Sequence, residues 1–266
     1  MTPGTGYVPY CGAPPTPGAL EWNLDPVLLA VLFALLACYW AGGRKAPDRD
    51  GGPGCRTAFL VGWAIAFLAL VSPLCHLSVA LFSARVGQHL FLTLLAAPLI
   101  AVGRPGLILL AFAPRDGGLR LSGASGGMFA APVFALTLWA WHLPGPYDLT
   151  LASDLAYWAM HISLFGSALW LWRTLLDSAR PLLGIVAGLG TAIQMGLLGA
   201  VLTFASSPLF DDHQATTWPW GLTPLQDQQL GGLLMWAPGG ILFAVGAVAI
   251  LGLWLRSLSR RGMAGG

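Results

Sequence analysis

Five histidines are the side chains of this 266-residue chain best suited to chemistry. Neutral imidazole is the commonest metal ligand in proteins. His76, His89, His142, His161 and His213 are widely spaced. No HExxH helix, phosphate-binding glycine loop or GxSxG elbow surrounds them. A shared site must therefore be assembled from separate elements. Other polar groups stand in equally apolar stretches. Arg85 lies four residues before His89, on the same helical face, with Gln88 beside it. Cys75 adjoins His76, and Asp227 sits in the run Gln226-Asp227-Gln228-Gln229. Met160, Met195 and Met235 are soft donors of the kind Cu(I) accepts, although methionine in an apolar helix is often packing filler. Two readings stay open from these residues: imidazoles converging on a metal ion, or imidazoles bonding helix to helix.

The elements that must position these groups are transmembrane helices. Hydrophobic residues make up 56% of the chain and charged residues 9%, against about 25% charged in soluble domains. Seven apolar stretches approach the roughly 20 residues that span a bilayer. They run over residues 24–41, 57–75, 85–102, 126–143, 154–172, 182–206 and 229–255. A further apolar run, residues 105–113, is too short to span and is expected along the inner interface. Backbone groups in lipid must bond internally, so the stretches are helices. Long continuous apolar runs also exclude a β-barrel, whose segments alternate. The expected fold is an all-α, polytopic seven-transmembrane-helix bundle.

Charge orients it. Every Lys and Arg except Arg85 falls on alternate loops and the tail: Arg44, Lys45, Arg49 and Arg56; Arg104, Arg115 and Arg120; Arg173 and Arg180; Arg256, Arg260 and Arg261. Positive residues remain in the cytoplasm, which places the N-terminus outside and the C-terminus inside. All five histidines then lie in the outer half, with His76 expected to end the second span and His142 the fourth. An ionisable group in a span usually faces the bundle interior and a partner. At the same depth, Asp227 is expected to cap the last helix, to accept from Arg85 or to ligate a metal. Residues 1–23 are expected to be a flexible external segment, 24–256 the transmembrane domain and 257–266 a cytoplasmic tail. Residues 1–19 lack a basic n-region, so the first helix serves as the insertion signal. The four cysteines, Cys11, Cys38, Cys55 and Cys75, show neither a CxxC pair nor a disulfide framework. A net charge of +2, dispersed over short loops, excludes a nucleic-acid footprint.

The polar landmarks resemble the CtaG family of caa3-type cytochrome c oxidase assembly factors. The likeness runs through Ser72-Pro73-Leu74, Leu81-Phe82-Ser83-Ala84, Gln88-His89-Leu90, Ala97-Pro98-Leu99, Gly103-Arg104-Pro105 and Trp141-His142-Leu143-Pro144. It continues with His161, Leu202-Thr203-Phe204-Ala205, Ser207-Pro208-Leu209, Trp220-Gly221-Leu222, the run from Pro224 to Gly232, and Met235-Trp236-Ala237-Pro238-Gly239. The resemblance implies a multi-pass assembly factor of the bacterial cytoplasmic membrane and not an enzyme. Its partners would be oxidase subunits, a copper-donor protein and membrane lipid. It implies copper handling at the outer face. The ion would be Cu(I), with His89, His142 and His161 as first candidates and His76, Cys75 and Met235 as additions. Arg85, Gln88 and Asp227 would be supporting polar groups. Family members commonly carry histidine where this chain has Arg85, and arginine has no lone pair to offer a metal. The alternatives are a metal-free scaffold for oxidase maturation and a membrane haem or quinone redox protein.

Overall fold

The computed structural model describes residues 7–49, 51–112, 126–177 and 179–264, all helix and connecting loop. We number the principal helices in chain order. They are α1 (Pro26–Lys45), α2 (Pro53–Val71), α3 (Pro73–Ala80) and α4 (Phe82–Val102). Next come α5 (Gly106–Phe112), α6 (Ala130–Trp141), α7 (Pro144–Ala152) and α8 (Asp154–Leu175). The last are α9 (Pro181–Phe204) and α10 (Pro224–Arg256), whose helical backbone continues to Ala264.

Among the described residues, α1, α2, α4, α9 and α10 are long and apolar enough to cross a membrane. The two remaining expected spans fall short for different reasons. α6 has only 12 residues. α8 has 22, but Asp154, His161, Ser163, Ser167 and Arg173 reduce its apolarity. The protein is thus an all-α polytopic membrane protein. The loop carrying Arg115 and Arg120 lies outside the described residues.

Helix starts follow local chemistry. Asp25 accepts from the amides of Val27 and Leu28 ahead of Pro26. Ser72 caps α3 ahead of Pro73, and Ser153 caps α8. Thr223 and Gln226 form a reciprocal capping box ahead of α10. Short polar acceptors followed by proline are the preferred opening of a helix. The Ser72-Pro73 cap corrects one expected boundary. α2 ends at Val71, and α3 and the start of α4 form a separate corner. His76 therefore lies within α3 and not at the end of the second span.

α4 is the central element, packed against α2, α3, α8 and α10. Within its apolar window 56% of residues are buried, against 22% in the peripheral α1. The short α5 lies along α1. α9 and α10 approach closely where glycines face each other. A Cβ on Gly232 would lie 2.7 Å from the Gly199 carbonyl oxygen and 2.5 Å from Thr203 Oγ1. Small residues permit such backbone contact in membranes.

Candidate functional site

His89, on α4, and His161, on α8, meet edge to face with ring centroids 5.2 Å apart. They are 7% and 4% exposed. His161 Nδ1 donates to the Tyr157 carbonyl at 3.0 Å. Its Nε2 then carries the lone pair, and that atom is buried without a partner. Neither ring nitrogen of His89 has a partner. Buried polar atoms are normally bonded, so a cluster of exceptions calls for an explanation.

Backbone geometry contributes to this arrangement. Directly after His89 the helix widens into a π-helical turn, Phe91–Ala96. Such turns are frequent at functional positions. Thr93 Oγ1 donates to the His89 carbonyl at 2.7 Å, and Trp172 Nε1 donates to the Thr93 carbonyl at 2.7 Å. These bonds hold the widened turn. The ring of Tyr157, one turn before His161, packs on it at 4.2 Å between centroids.

The other histidines are differently engaged. His142 Nδ1 donates to the Leu138 carbonyl at 2.7 Å, and its ring stands edge-on to Phe82. Among the described residues no group of three His, Cys, Asp or Glu side chains is placed to hold a metal ion. His76 has both ring nitrogens bonded, Nδ1 accepting from the Glu21 amide at 3.0 Å and Nε2 donating to the Ala13 carbonyl at 2.8 Å. His213 is likewise committed, Nε2 accepting from the Tyr147 hydroxyl at 2.6 Å and Nδ1 facing the Ala80 carbonyl at 3.2 Å. Met235 opens a second π-helical turn, Met235–Gly240, and lies in the apolar core with Met160 and Met195.

Cys75 departs most from expectation. It forms a disulfide with Cys11, and Cys38 and Cys55 remain free. In this form Cys75 presents no thiolate to a metal. The pairing was illegible in sequence because 64 residues separate the two sulfurs and no local spacing marks them. The N-terminal segment is fastened at several points. Tyr10 stacks on Tyr157, Asn23 N donates to the Val71 carbonyl, and Trp220 Nε1 donates to the Pro15 carbonyl.

The remaining polar candidates build architecture. Asp227 accepts from the Phe82 amide at 2.6 Å, the Ser83 amide at 3.1 Å and the Ser83 hydroxyl. It caps the first turn of α4, where a carboxylate also complements the helix dipole. Of the roles open to Asp227, the cap is thus found on α4 and not on the last helix, where Thr223 serves, and its acceptor oxygens face Phe82 and Ser83 instead of Arg85. Arg85, 1% exposed, donates to Thr150 Oγ1 and lies 5.0 Å over the Tyr147 ring. Gln88 Nε2 donates to the Ala69 carbonyl at 2.8 Å. Gln228 accepts from the Leu209 amide and donates to the Leu202 carbonyl. Gly231 faces the Phe82 ring, 2.5 Å from where its Cβ would stand. The conspicuous run Gln226-Asp227-Gln228 therefore joins α10 to α4 and α9. Thr150, Tyr147 and Tyr157 were missed from sequence, since hydroxyls in apolar helices carry no spacing signal.

No curated protein and no solved structure matches the chain. Residues 24–257 match the family described as cytochrome c oxidase caa3 assembly factor, Caa3_CtaG. The match begins before α1 and ends beyond Arg256, so it takes in the whole helical bundle, and the chain belongs to this family of oxidase assembly factors.

Proposed function

We propose that the protein serves assembly of a caa3-type oxidase by holding Cu(I) between His89 and His161 as cargo for a copper centre. One observation carries this reading: His89 and the Nε2 of His161 leave buried nitrogens without partners in adjoining rings. His76 and His213, by contrast, engage both nitrogens with protein atoms. Two imidazoles suit a soft monovalent ion of low coordination number. They are too few for structural zinc, which takes four ligands. Oxidase subunits and a copper-donor protein are the partners of this reading. Anaerobic Cu(I) titration of the purified protein is expected to show one ion, lost in His89→Ala and in His161→Ala. Undiminished binding in the double variant would refute the assignment.

The same reading places the chain in the bacterial cytoplasmic membrane with seven crossings, N-terminus outside and C-terminus inside. α6 and α8 supply the crossings beyond the five apolar ones. Charge distribution supports this orientation, and so does a disulfide at the histidine end, since disulfides persist in oxidising compartments.

A metal-free scaffold is a second reading. It is favoured by the missing third donor and by the architectural use of Asp227, Gln88 and Arg85. Bis-histidine haem fits less well, because rings meeting edge to face leave no space for a macrocycle between them.

A further inference from the structure

We infer that the Cys11–Cys75 disulfide is a redox clasp, opened by a dithiol reductant, that governs access to the His89–His161 pair. The inference rests on His89 and His161 being the working pair, and not on which ion they hold. The disulfide fastens residues 7–23 as a strap over the histidine end of the bundle. Besides the bridge, Tyr10 stacks on Tyr157 at 4.8 Å and meets Trp158 at 5.2 Å. Tyr157 and Trp158 both pack on His161, at 4.2 and 6.1 Å. The strap is thus one aromatic layer from the His161 ring, whose Nε2 has no partner.

The bridge is also built for exchange in one direction. The Tyr157 hydroxyl lies 3.3 Å from Cys11 Sγ and 3.5 Å from Cys75 Sγ, and a disulfide sulfur can only accept. That hydroxyl has one proton to share between the two sulfurs, so what sets Cys75 apart is Asn23, whose Nδ2 donates to Cys75 Sγ alone at 3.5 Å. This donor favours negative charge on Cys75, which makes Cys75 the leaving sulfur. Access points the same way: Cys11 is 7% exposed and Cys75 0%. A thiolate of the reductant attacks Cys11 Sγ. The sulfur–sulfur bond breaks, and its electron pair departs on Cys75, which takes a proton. The second thiolate of the reductant then displaces Cys11, which takes the other proton. Two electrons pass to the protein, and the reductant becomes a disulfide.

Opening the bridge leaves the strap on hydrogen bonds and aromatic contacts alone. Gly12, beside Cys11, adopts φ +102°, and a Cβ there would meet the His76 ring at 3.3 Å. Close seating of the strap on His76 therefore depends on a glycine conformation that the free chain has no cause to keep.

The test uses the full-length oxidised protein in lipid nanodiscs, with dithiothreitol as the dithiol. Reduction is expected to raise amide exchange over residues 7–23, and diethylpyrocarbonate modification of His89 and His161, by about tenfold. In single variants, oxidised glutathione, which gives a mixed disulfide and releases one glutathione thiol, should capture the more accessible Cys11 in Cys75→Ser about tenfold faster than Cys75 in Cys11→Ser. Unchanged histidine modification, with Cys11 and Cys75 shown by mass to be thiols, overturns the gate. Capture favouring Cys75, or a bridge that resists dithiothreitol in the folded protein, overturns the clasp. The wild-type arm needs no substitution, so a misfolded variant does not spare the proposal. Cu(I) that binds neither redox form would end the copper reading while leaving the clasp to be judged by histidine modification.

Discussion

Replacing Asp227 by Asn keeps its shape and removes its charge. The Asn carbonyl oxygen accepts from at most part of the set now shared by two amides and a hydroxyl. The expected loss is about 1–3 kcal/mol of stability in detergent unfolding, with Asp227→Ala at the upper end. An unaltered unfolding midpoint would show that the cap carries no weight. His213 makes a second residue-level prediction. Burial, followed by the charge of Arg85, pushes its imidazole down to about 3 from 6.5. Between those values the unfolded chain binds the proton and the folded one does not. Stability is therefore full above pH 6.5 and falls as pH drops toward 3, by at most about 1.4 kcal/mol per pH unit. Asp148 opposes this. Burial, then Asp212 and Asp211, push its carboxyl up to about 6, so its contribution to stability falls as pH rises from 3.8 through 6. The difference between wild type and His213→Asn isolates the histidine. That difference should shrink as pH falls from 6.5, and a pH-independent difference would contradict the buried neutral imidazole.

At the scale of elements, the bundle is held by corners and close approaches more than by helix length. Gly232→Ala would place a methyl against the Gly199 carbonyl and Thr203 Oγ1, forcing α9 and α10 apart. The expected cost is about 1–3 kcal/mol. Gly190→Ala, also on α9, meets nothing within 4 Å and should be neutral or stabilising by up to about 1 kcal/mol. Equal effects on the unfolding midpoint would refute the close approach. The π-helical turn after His89 depends on Trp172 and Thr93. Trp172→Phe keeps most of the apolar area and removes the indole donor. It should weaken Cu(I) binding more than it lowers stability, measured by competition with a chelator. A parallel loss of both would assign Trp172 to packing alone.

For the whole molecule, topology is the consequence open to direct measurement. A cysteine introduced at the exposed Ala215 is expected to react with an impermeant maleimide on intact cells, whereas native Cys55 is not. The reverse pattern would invert the protein and contradict the charge distribution. The strap makes the histidine end a covered surface, and exchange over residues 7–23 reports whether that cover is fixed or redox-dependent.

Membrane residence, helical class and the family follow from sequence because apolar content and the order of short landmarks are properties of the chain itself. Caps such as Asp25-Pro26 and Ser153 act over two or three residues, yet they were not among the expectations from sequence, where the one cap considered was Asp227 on the last helix. His89 and His161 were recognisable as costly imidazoles in apolar helices. Their mutual approach and the cap that Asp227 makes on α4 were not recognisable, because each depends on which helices adjoin. The same holds for Cys11 and Cys75, brought together across 64 residues. Sequence sets how much each polar group would lose on burial; only tertiary packing decides which neighbour satisfies it and which nitrogens remain without one.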